Sequence, residues 1–168
     1  MMKNVAIGIL VVFLAVVLLQ PIAEIANLTK EKVMLGTALT NAARSARDRS
    51  LEYELMRNLD AKVDREKFVG YFTESFEDAM NFTCTNKGQS EDKLRFVSND
   101  ARYNEFIVEL DFTEEDDLET EQLVSKVEMT ATTEYKFKTK YLKLVEEAGE
   151  DPATELKSKR SLILDVKN

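Results

Sequence analysis

The hydrophobic positions of this chain form a continuous run at the amino terminus and periodic patterns elsewhere. Between positions 4 and 23 there is no charged side chain, and nearly every residue from 5 to 19 is large and apolar. A bilayer core about 30 Å thick is crossed by about 20 helical residues. The run therefore predicts a membrane-spanning anchor over residues 1–23 and one polar domain over residues 24–168.

A cleaved secretory signal is the alternative interpretation of this run, with Lys3 as its charged amino-terminal region. Such signals have small residues one and three positions before the cleaved bond. Cleavage after Ala26 would put Glu24 at the third position, and cleavage after Ala23 would put Pro21 there. Because neither site is suitable, the sequence favours a retained anchor.

The charges that flank the run are nearly balanced. Lys3 precedes it, while Lys30 and Lys32 follow it together with Glu24 and Glu31. Lysine and arginine bias sets the orientation of a membrane helix, and here that bias is small. A short tail before a first span usually stays inside. We therefore expect a single-pass protein of the cell membrane, with a cytoplasmic amino terminus and an extracytoplasmic domain.

Helical periodicity continues beyond the apolar run. Residues 22–60 contain no proline and a single glycine, Gly36, and their apolar positions recur at spacings of three, four or seven. This pattern predicts that the membrane helix extends into the polar domain. The residues that carry the pattern are Leu28, Leu35, Leu39, Ala42, Ala46, Tyr53 and Met56.

Small residues make this long helix narrow in two places. Gly8 and Ala15 lie seven residues apart on one face of the span, and a second group follows within 36–46. Small residues permit close helix approach, so they mark a candidate interface with a partner helix. For the second group, an alanine-rich stripe packed on the protein's own sheet is the alternative. The candidate interface residues are Gly8, Ala15, Gly36, Ala42, Ala43 and Ala46.

A second helix is predicted after Asp64, whose side chain can cap it, with Glu66 adding negative charge to the first turn. The helix carries a large apolar residue at every fourth position. A stripe of this kind is typical of a core-facing helix side. Its members are Phe68, Phe72, Phe76 and Met80.

From Asn81 onward the hydrophobic period changes to two. Alternation predicts strands near 82–84, 94–96, 105–112, 123–137 and 162–166. Because strands usually run 3–10 residues, we expect a bend or bulge near 130–133 in the fourth strand. The order of a long helix, a second helix and about five antiparallel strands predicts an α+β domain.

An acidic stretch at 113–121 is the one candidate for a metal site. It has carboxylate oxygens but lacks the glycine and the ligand spacing of a calcium loop, so a solvated hairpin connection is predicted. Glu109 and Asp111, just before it, could act in acid–base chemistry but have no evident partner, and a wet strand face is the simpler interpretation.

The composition excludes several classes of site. There is no histidine, which removes the commonest general base and most zinc sites. Cys84 is the only cysteine, so no internal disulfide can form. The net charge is −8, which disfavours nucleic acid and anionic lipid as partners. We expect no catalytic residues, no cofactor, no metal and no enzymatic activity.

The order of elements resembles that of type IV pilin-like subunits, including the pseudopilins of secretion and Tad-type systems. The resemblance covers the whole chain at the level of architecture: the apolar run from Val5, Pro21 near its end, the small residues within 36–46, and the strand-rich carboxyl half. Two family features are absent, the glycine before the run and a glutamate five residues into it. The first acidic residue is Glu24.

The resemblance implies a minor or unprocessed structural subunit of a pilus-like or secretion apparatus. Its partners would be the membrane and other pilin-like or secretion subunits, a second copy of itself among them. The alternative function is a single-pass anchored binding or sensor domain that presents its sheet to a partner.

Overall fold

The computed structural model describes residues 2–53, 61–88, 92–101, 103–117, 122–136 and 154–167. Within these ranges the chain forms an α+β fold, as the sequence predicts, with two helices and a five-stranded antiparallel sheet. A short two-stranded ribbon is an additional element that the sequence did not indicate. In chain order the elements are α1 (Met2–Ser50), β1 (Leu51–Tyr53), β2 (Ala61–Val63), α2 (Arg65–Met80), β3 (Phe82–Cys84), β4 (Lys93–Ser98), β5 (Phe106–Asp117), β6 (Gln122–Glu134) and β7 (Glu155–Lys167).

Helix α1 is a single element of 49 residues that continues through Pro21. At 1.5 Å per residue it is about 70 Å long. It ends at Ser50, so the predicted continuation toward position 60 is wrong at Tyr53, which lies in β1; Met56 falls outside the described residues. The helix ends there because Leu51–Tyr53 pairs as a strand with Ala61–Val63. Local spacing does not reveal this tertiary contact.

This ribbon connects the end of α1 to the start of α2. The backbone N–H of Asp64 donates to the carbonyl of Ser50 at 3.1 Å, and the Asp64 carboxylate accepts from the N–H of Lys67 at 3.0 Å. Asp64 therefore caps α2, as predicted, and also satisfies a carbonyl at the end of α1. Asn81 closes α2 in the left-handed conformation with φ of 56°.

The phenylalanine stripe of α2 forms the centre of the core, which confirms its predicted role. Phe68, Phe72 and Phe76 are fully buried, and Met80 packs against the cluster from its edge. The ring centroids of Phe72 and Phe76 lie 5.8 Å apart, and Phe76 meets Phe96 of β4 edge-on at 4.9 Å. These contacts hold α2 on the inner face of the sheet.

The sheet is a simple meander in the order β3-β4-β5-β6-β7. Alternate residues face the core, as the sequence predicts. The buried ones are Val108 and Leu110 on β5 and Val127, Met129 and Ala131 on β6. Leu164 on β7 is also buried. The predicted turn at 86–88 is present, with Gly88 at a φ of +77°.

Three details of the predicted sheet are wrong. The last strand begins at Glu155 instead of near 162. Residues Thr113–Asp117 of the acidic stretch belong to β5 and pair with β6. Only positions 118–121, which lie outside the described residues, remain for the connection. β6 is one strand of 13 residues, and its irregularity lies at Ser125/Lys126 against β7 rather than near 130–133. Long pairing on both sides stabilises a strand beyond the usual length.

The irregularity between β6 and β7 is a bulge with a structural consequence. Ser125 is paired with Asp165 and Lys126 with Ile163, so Leu164 is the extra residue. Leu164 and Asp165 are both buried as a result. The Asp165 Oδ2 atom accepts from the backbone N–H of Val63 at 3.0 Å, which attaches the β1–β2 ribbon to the sheet.

Candidate interaction site on the amino-terminal helix

The first part of α1 is exposed in the described structure. Every large apolar side chain from Val5 to Leu19 is at least 47% exposed. A helix that is apolar on all sides is stable only inside a protein or a bilayer. Among the described residues, α1 is the one helix long and apolar enough to cross a membrane, and its apolar window is unburied. It is therefore compatible with single-pass anchoring.

Gly8 and Ala15 both lie in this exposed part of α1. No described atom lies within 4 Å of the position that a Cβ on Gly8 would occupy. The two small residues lie seven positions apart and therefore share one side of the helix. The structure leaves this side open to lipid or to another helix.

The other four candidate residues are covered by the chain itself. Gly36, Ala42, Ala43 and Ala46 are buried in the domain, where α1 packs against α2 and β7. The guanidinium of Arg160 lies where a side chain on Gly36 would be. These small residues let α1 approach its own domain, which is the alternative that the sequence left open. The six candidates therefore divide into an exposed pair and a buried group.

Two buried glutamates connect α1 to the sheet at the point where the apolar segment ends. Glu24 and Glu31 are each only 5% exposed. The Tyr103 hydroxyl donates a hydrogen bond to Glu31 Oε2, and Tyr135 lies beside Glu24. Burial, together with the neighbouring Glu24, raises the pKa of the Tyr135 phenol. The phenol therefore stays protonated and can donate to a carboxylate.

Lys136 supports this junction from the sheet side. Its ammonium donates to the carbonyls of Ala101 and Tyr103, at 3.2 and 3.3 Å. The contact holds the segment that carries Tyr103 against the end of β6, beside Tyr135. We name Glu24, Glu31, Tyr103, Tyr135 and Lys136 the helix–sheet junction.

Sequence reasoning treated Glu24 and Glu31 only as charges that flank the apolar run, and it missed the junction. A signal for them was present, because they lie seven residues apart and in step with Leu28 and Leu35 on the core-facing stripe of α1. A carboxylate in an apolar stripe indicates a buried hydrogen-bond partner. The partners, however, are about 70 to 110 positions away in sequence and can be identified only from the fold.

The other acidic and nucleophilic side chains that sequence reasoning singled out, where the structure describes them, lie apart from the junction. Glu109 and Asp111 are exposed on the outer face of the sheet, and Glu109 forms an ion pair with Lys93 at 2.9 Å. The Cys84 thiol is half-buried, and burial raises its pKa, which reduces its reactivity. Over the described ranges, no group of three or more metal-ligating side chains is found.

The exposed helix and the junction together define the site. One end of α1 is apolar and free, and the other is fixed in the core through the buried stripe and the two glutamates. Comparison with protein-family models, with curated proteins and with solved structures found no match to this chain.

Proposed function

We propose that this protein is a non-enzymatic, membrane-anchored structural subunit of a pilus-like or secretion apparatus, which assembles through its amino-terminal helix. In this arrangement the amino terminus is cytoplasmic and the domain is extracytoplasmic. The partners are the membrane and other pilin-like or secretion subunits, including further copies of this chain.

The observation that carries the proposal is the continuity of α1. The helix runs as one element from the exposed apolar part into the buried stripe that packs on α2 and β7. A displacement of the anchor is therefore transmitted directly to the domain, because no linker separates them. A structural subunit needs this coupling, since contacts between helices must position the domains that they carry.

The helix–sheet junction supports the same function. Breaking a buried carboxylate contact costs the desolvation free energy of a charged group, so Glu24 and Glu31 resist separation of the helix from the sheet. A binding or sensor domain, which is the alternative function, has no requirement for such a rigid connection. It would also tolerate any apolar sequence in the membrane span.

The double variant Gly8→Leu with Ala15→Leu tests the proposal. Helices associate in lipid through close packing, so two leucines on this side should abolish crosslinking of the helix to partner subunits while membrane insertion continues. The matched control is Leu10→Ile with Val17→Leu, which changes two apolar residues on the opposite side. Unchanged crosslinking in the Gly8/Ala15 variant, or no crosslinked partner for the wild-type helix, would favour the anchored binding domain.

A further inference from the structure

Two strand edges of the sheet have no further strand beside them in the described structure, although α1 packs along β7. β4 pairs with β5 only along Phe106–Glu109, so the outer edge of β5 from 111 to 117 has no strand beside it. β7 pairs with β6 alone, and the β1–β2 ribbon contacts it near Asp165, which leaves 155–161 open. Each open edge is seven residues long. We name them the β5 edge and the β7 edge.

On the sides away from β6, the described backbone hydrogen bonds stop short of both edges. The last backbone bond before the β5 edge is donated by the N–H of Leu110 to the carbonyl of Asp92 at 2.8 Å. Beyond it, no backbone hydrogen bond from another described segment reaches 111–117 or 155–161 outside the ladders with β6. An unpaired row of N–H and C=O groups is a template for a further strand.

The two edges carry opposite charge. The β5 edge contains five carboxylates and no basic residue, whereas the β7 edge contains three basic residues and one glutamate. Asp111 and Lys157 are both exposed, and each lacks an ion-pair partner among the residues that the structure describes. The charged residues are Asp111, Glu114, Glu115, Asp116 and Asp117 on one edge, and Glu155, Lys157, Lys159 and Arg160 on the other.

A groove begins where the β5 edge opens. It has a volume of about 590 Å³ and is bounded by Arg65, Asp92 and Asp111, among others. The groove lies at the point where β4 stops, so it gives an added strand access to the backbone of β5.

We propose that the β7 edge of one copy of this chain pairs with the β5 edge of a second copy and extends the sheet from one molecule to the next. The occupant is a second copy because both edges are found in the same chain, with equal length and complementary charge. Within one copy β5 and β7 are both antiparallel to β6 and therefore run in the same direction. Two copies with the same orientation relative to the membrane would thus pair these strands in parallel.

The pairing requires that the two copies be shifted along the strands. The β5 edge lies opposite 122–128 of β6, and the β7 edge lies opposite 128–134. This is an offset of six residues, or about 20 Å at about 3.3 Å per residue. α1 runs alongside β7, from Gly36 at Arg160 to Arg47 at Ile163, so the shift has a component along the helix axis. The contact therefore generates a staggered, head-to-tail stack instead of a closed dimer.

Crosslinking of two differently tagged full-length chains in native membranes tests this contact. Both chains carry Cys84→Ser, one carries Glu115→Cys on the β5 edge, and the other carries Ser161→Cys on the β7 edge; both positions are exposed and lie two residues apart along the proposed parallel pair. A short bismaleimide should give the mixed product when the chains are expressed together. Each variant expressed alone should give little product, because like edges do not meet.

Charge exchange makes the test specific. Lys157→Glu in the Ser161→Cys chain should reduce the mixed product about fivefold or more, because it places like charges across the contact. Asp111→Lys in the Glu115→Cys chain should restore it, because position 111 lies diagonally across from position 157 in the parallel pair. The control is Lys87→Glu, an exposed lysine in the β3–β4 turn, which should have no effect.

Absence of the mixed product would overturn the proposal, as would a product formed mainly by one variant alone or a Lys157→Glu effect that Asp111→Lys fails to reverse. The reporter cysteines lie in the sheet, so this result is separate from crosslinking through the membrane helix. A helix contact without the sheet contact would leave the proposed function standing and remove this inference alone.

Discussion

At the level of single residues, Glu24 and Glu31 of α1 hold this helix in position against the sheet. Both carboxylates are buried, and each lies against a tyrosine from the sheet side of the domain. A buried carboxylate without a hydrogen-bond donor lowers the stability of the folded state, so the tyrosine hydroxyls contribute to stability by supplying donors. The junction therefore lies where the exposed apolar segment meets the domain.

We expect Tyr103→Phe to lower the free energy of unfolding by about 1–3 kcal/mol, because it removes the hydroxyl that donates to buried Glu31. Urea unfolding of the detergent-solubilised full chain, followed by circular dichroism, measures the change. Tyr71→Phe is the matched control at a half-buried tyrosine and should change the stability by less than about 0.5 kcal/mol. Equal effects of the two variants would remove the special role of the Glu31 contact.

The raised pKa of Tyr135 predicts a loss of stability in alkaline solution. The folded state holds the phenol protonated above its ordinary pKa of 10.0, whereas the unfolded chain ionises there. This contribution is thus fully present below about pH 10 and is lost as the pH rises further. Unfolding measured from pH 8 to 11 should show a shallower decline for Tyr135→Phe. Parallel declines in both proteins would contradict this assignment.

At the scale of elements, α2 packs on the inner face of the sheet through its three buried phenylalanine rings. Phe72 lies between Phe68 and Phe76, with ring centroids 6.2 and 5.8 Å away. Its removal would leave a cavity at the centre of the core, and the neighbouring rings cannot collapse into that space without losing their own contacts.

Phe72→Ala should therefore cost about 3–5 kcal/mol in unfolding free energy and lower the yield of folded protein. Chemical denaturation of the purified full chain is the measurement. Val97→Ala, at an apolar side chain of β4 that is 44% exposed, is the control and should change the stability by less than about 0.5 kcal/mol. A small effect of Phe72→Ala would mean that the stripe is not the centre of the core.

The elements differ in how well the sequence predicts them. α2 was predicted to within one residue at its start because Asp64 and the stripe from Phe68 agree on where it begins. The strands were predicted where their inner faces alternate, whereas 155–161 of β7 was missed because Leu156 is its only apolar residue. By contrast, the end of α1 at Ser50 depends on the pairing of Leu51 with Val63, and local periodicity contains no information about that contact.

Long-range pairing also explains the other differences. Thr113–Asp117 has the composition of a loop, yet it is a strand because β6 supplies eleven consecutive pairs to β5. Which of the six small-residue candidates are exposed and which are buried likewise depends on partners distant in sequence, since Gly36 is covered by Arg160. Spacing identified the small residues, but only the fold shows which of them the chain uses for itself.

At the scale of the whole molecule, the protein consists of an exposed apolar rod continuous with a compact domain. The domain covers α1 from about Glu24 onward and leaves the preceding residues bare. Exposed apolar surface of this extent is not stable in water, so this part of the helix needs lipid or protein around it.

We predict that residues 1–23 are retained in the mature protein and keep it in the membrane. After alkaline carbonate extraction, the protein should remain in the membrane pellet, and the intact mass of that material should include these residues. A soluble protein whose amino terminus lies near Asn27 would show instead that the run is a cleaved signal.

The central claim is that the exposed helix is a protein interface as well as an anchor, and disulfide scanning in native membranes tests it most directly. Single cysteines are placed at each position from 6 to 19 in a Cys84→Ser background, and crosslinked products are quantified after mild oxidation. Our account predicts products that recur with helical periodicity and are strongest on the side of Gly8 and Ala15. Uniformly weak crosslinking around the whole helix would contradict it and identify α1 as a lipid anchor alone.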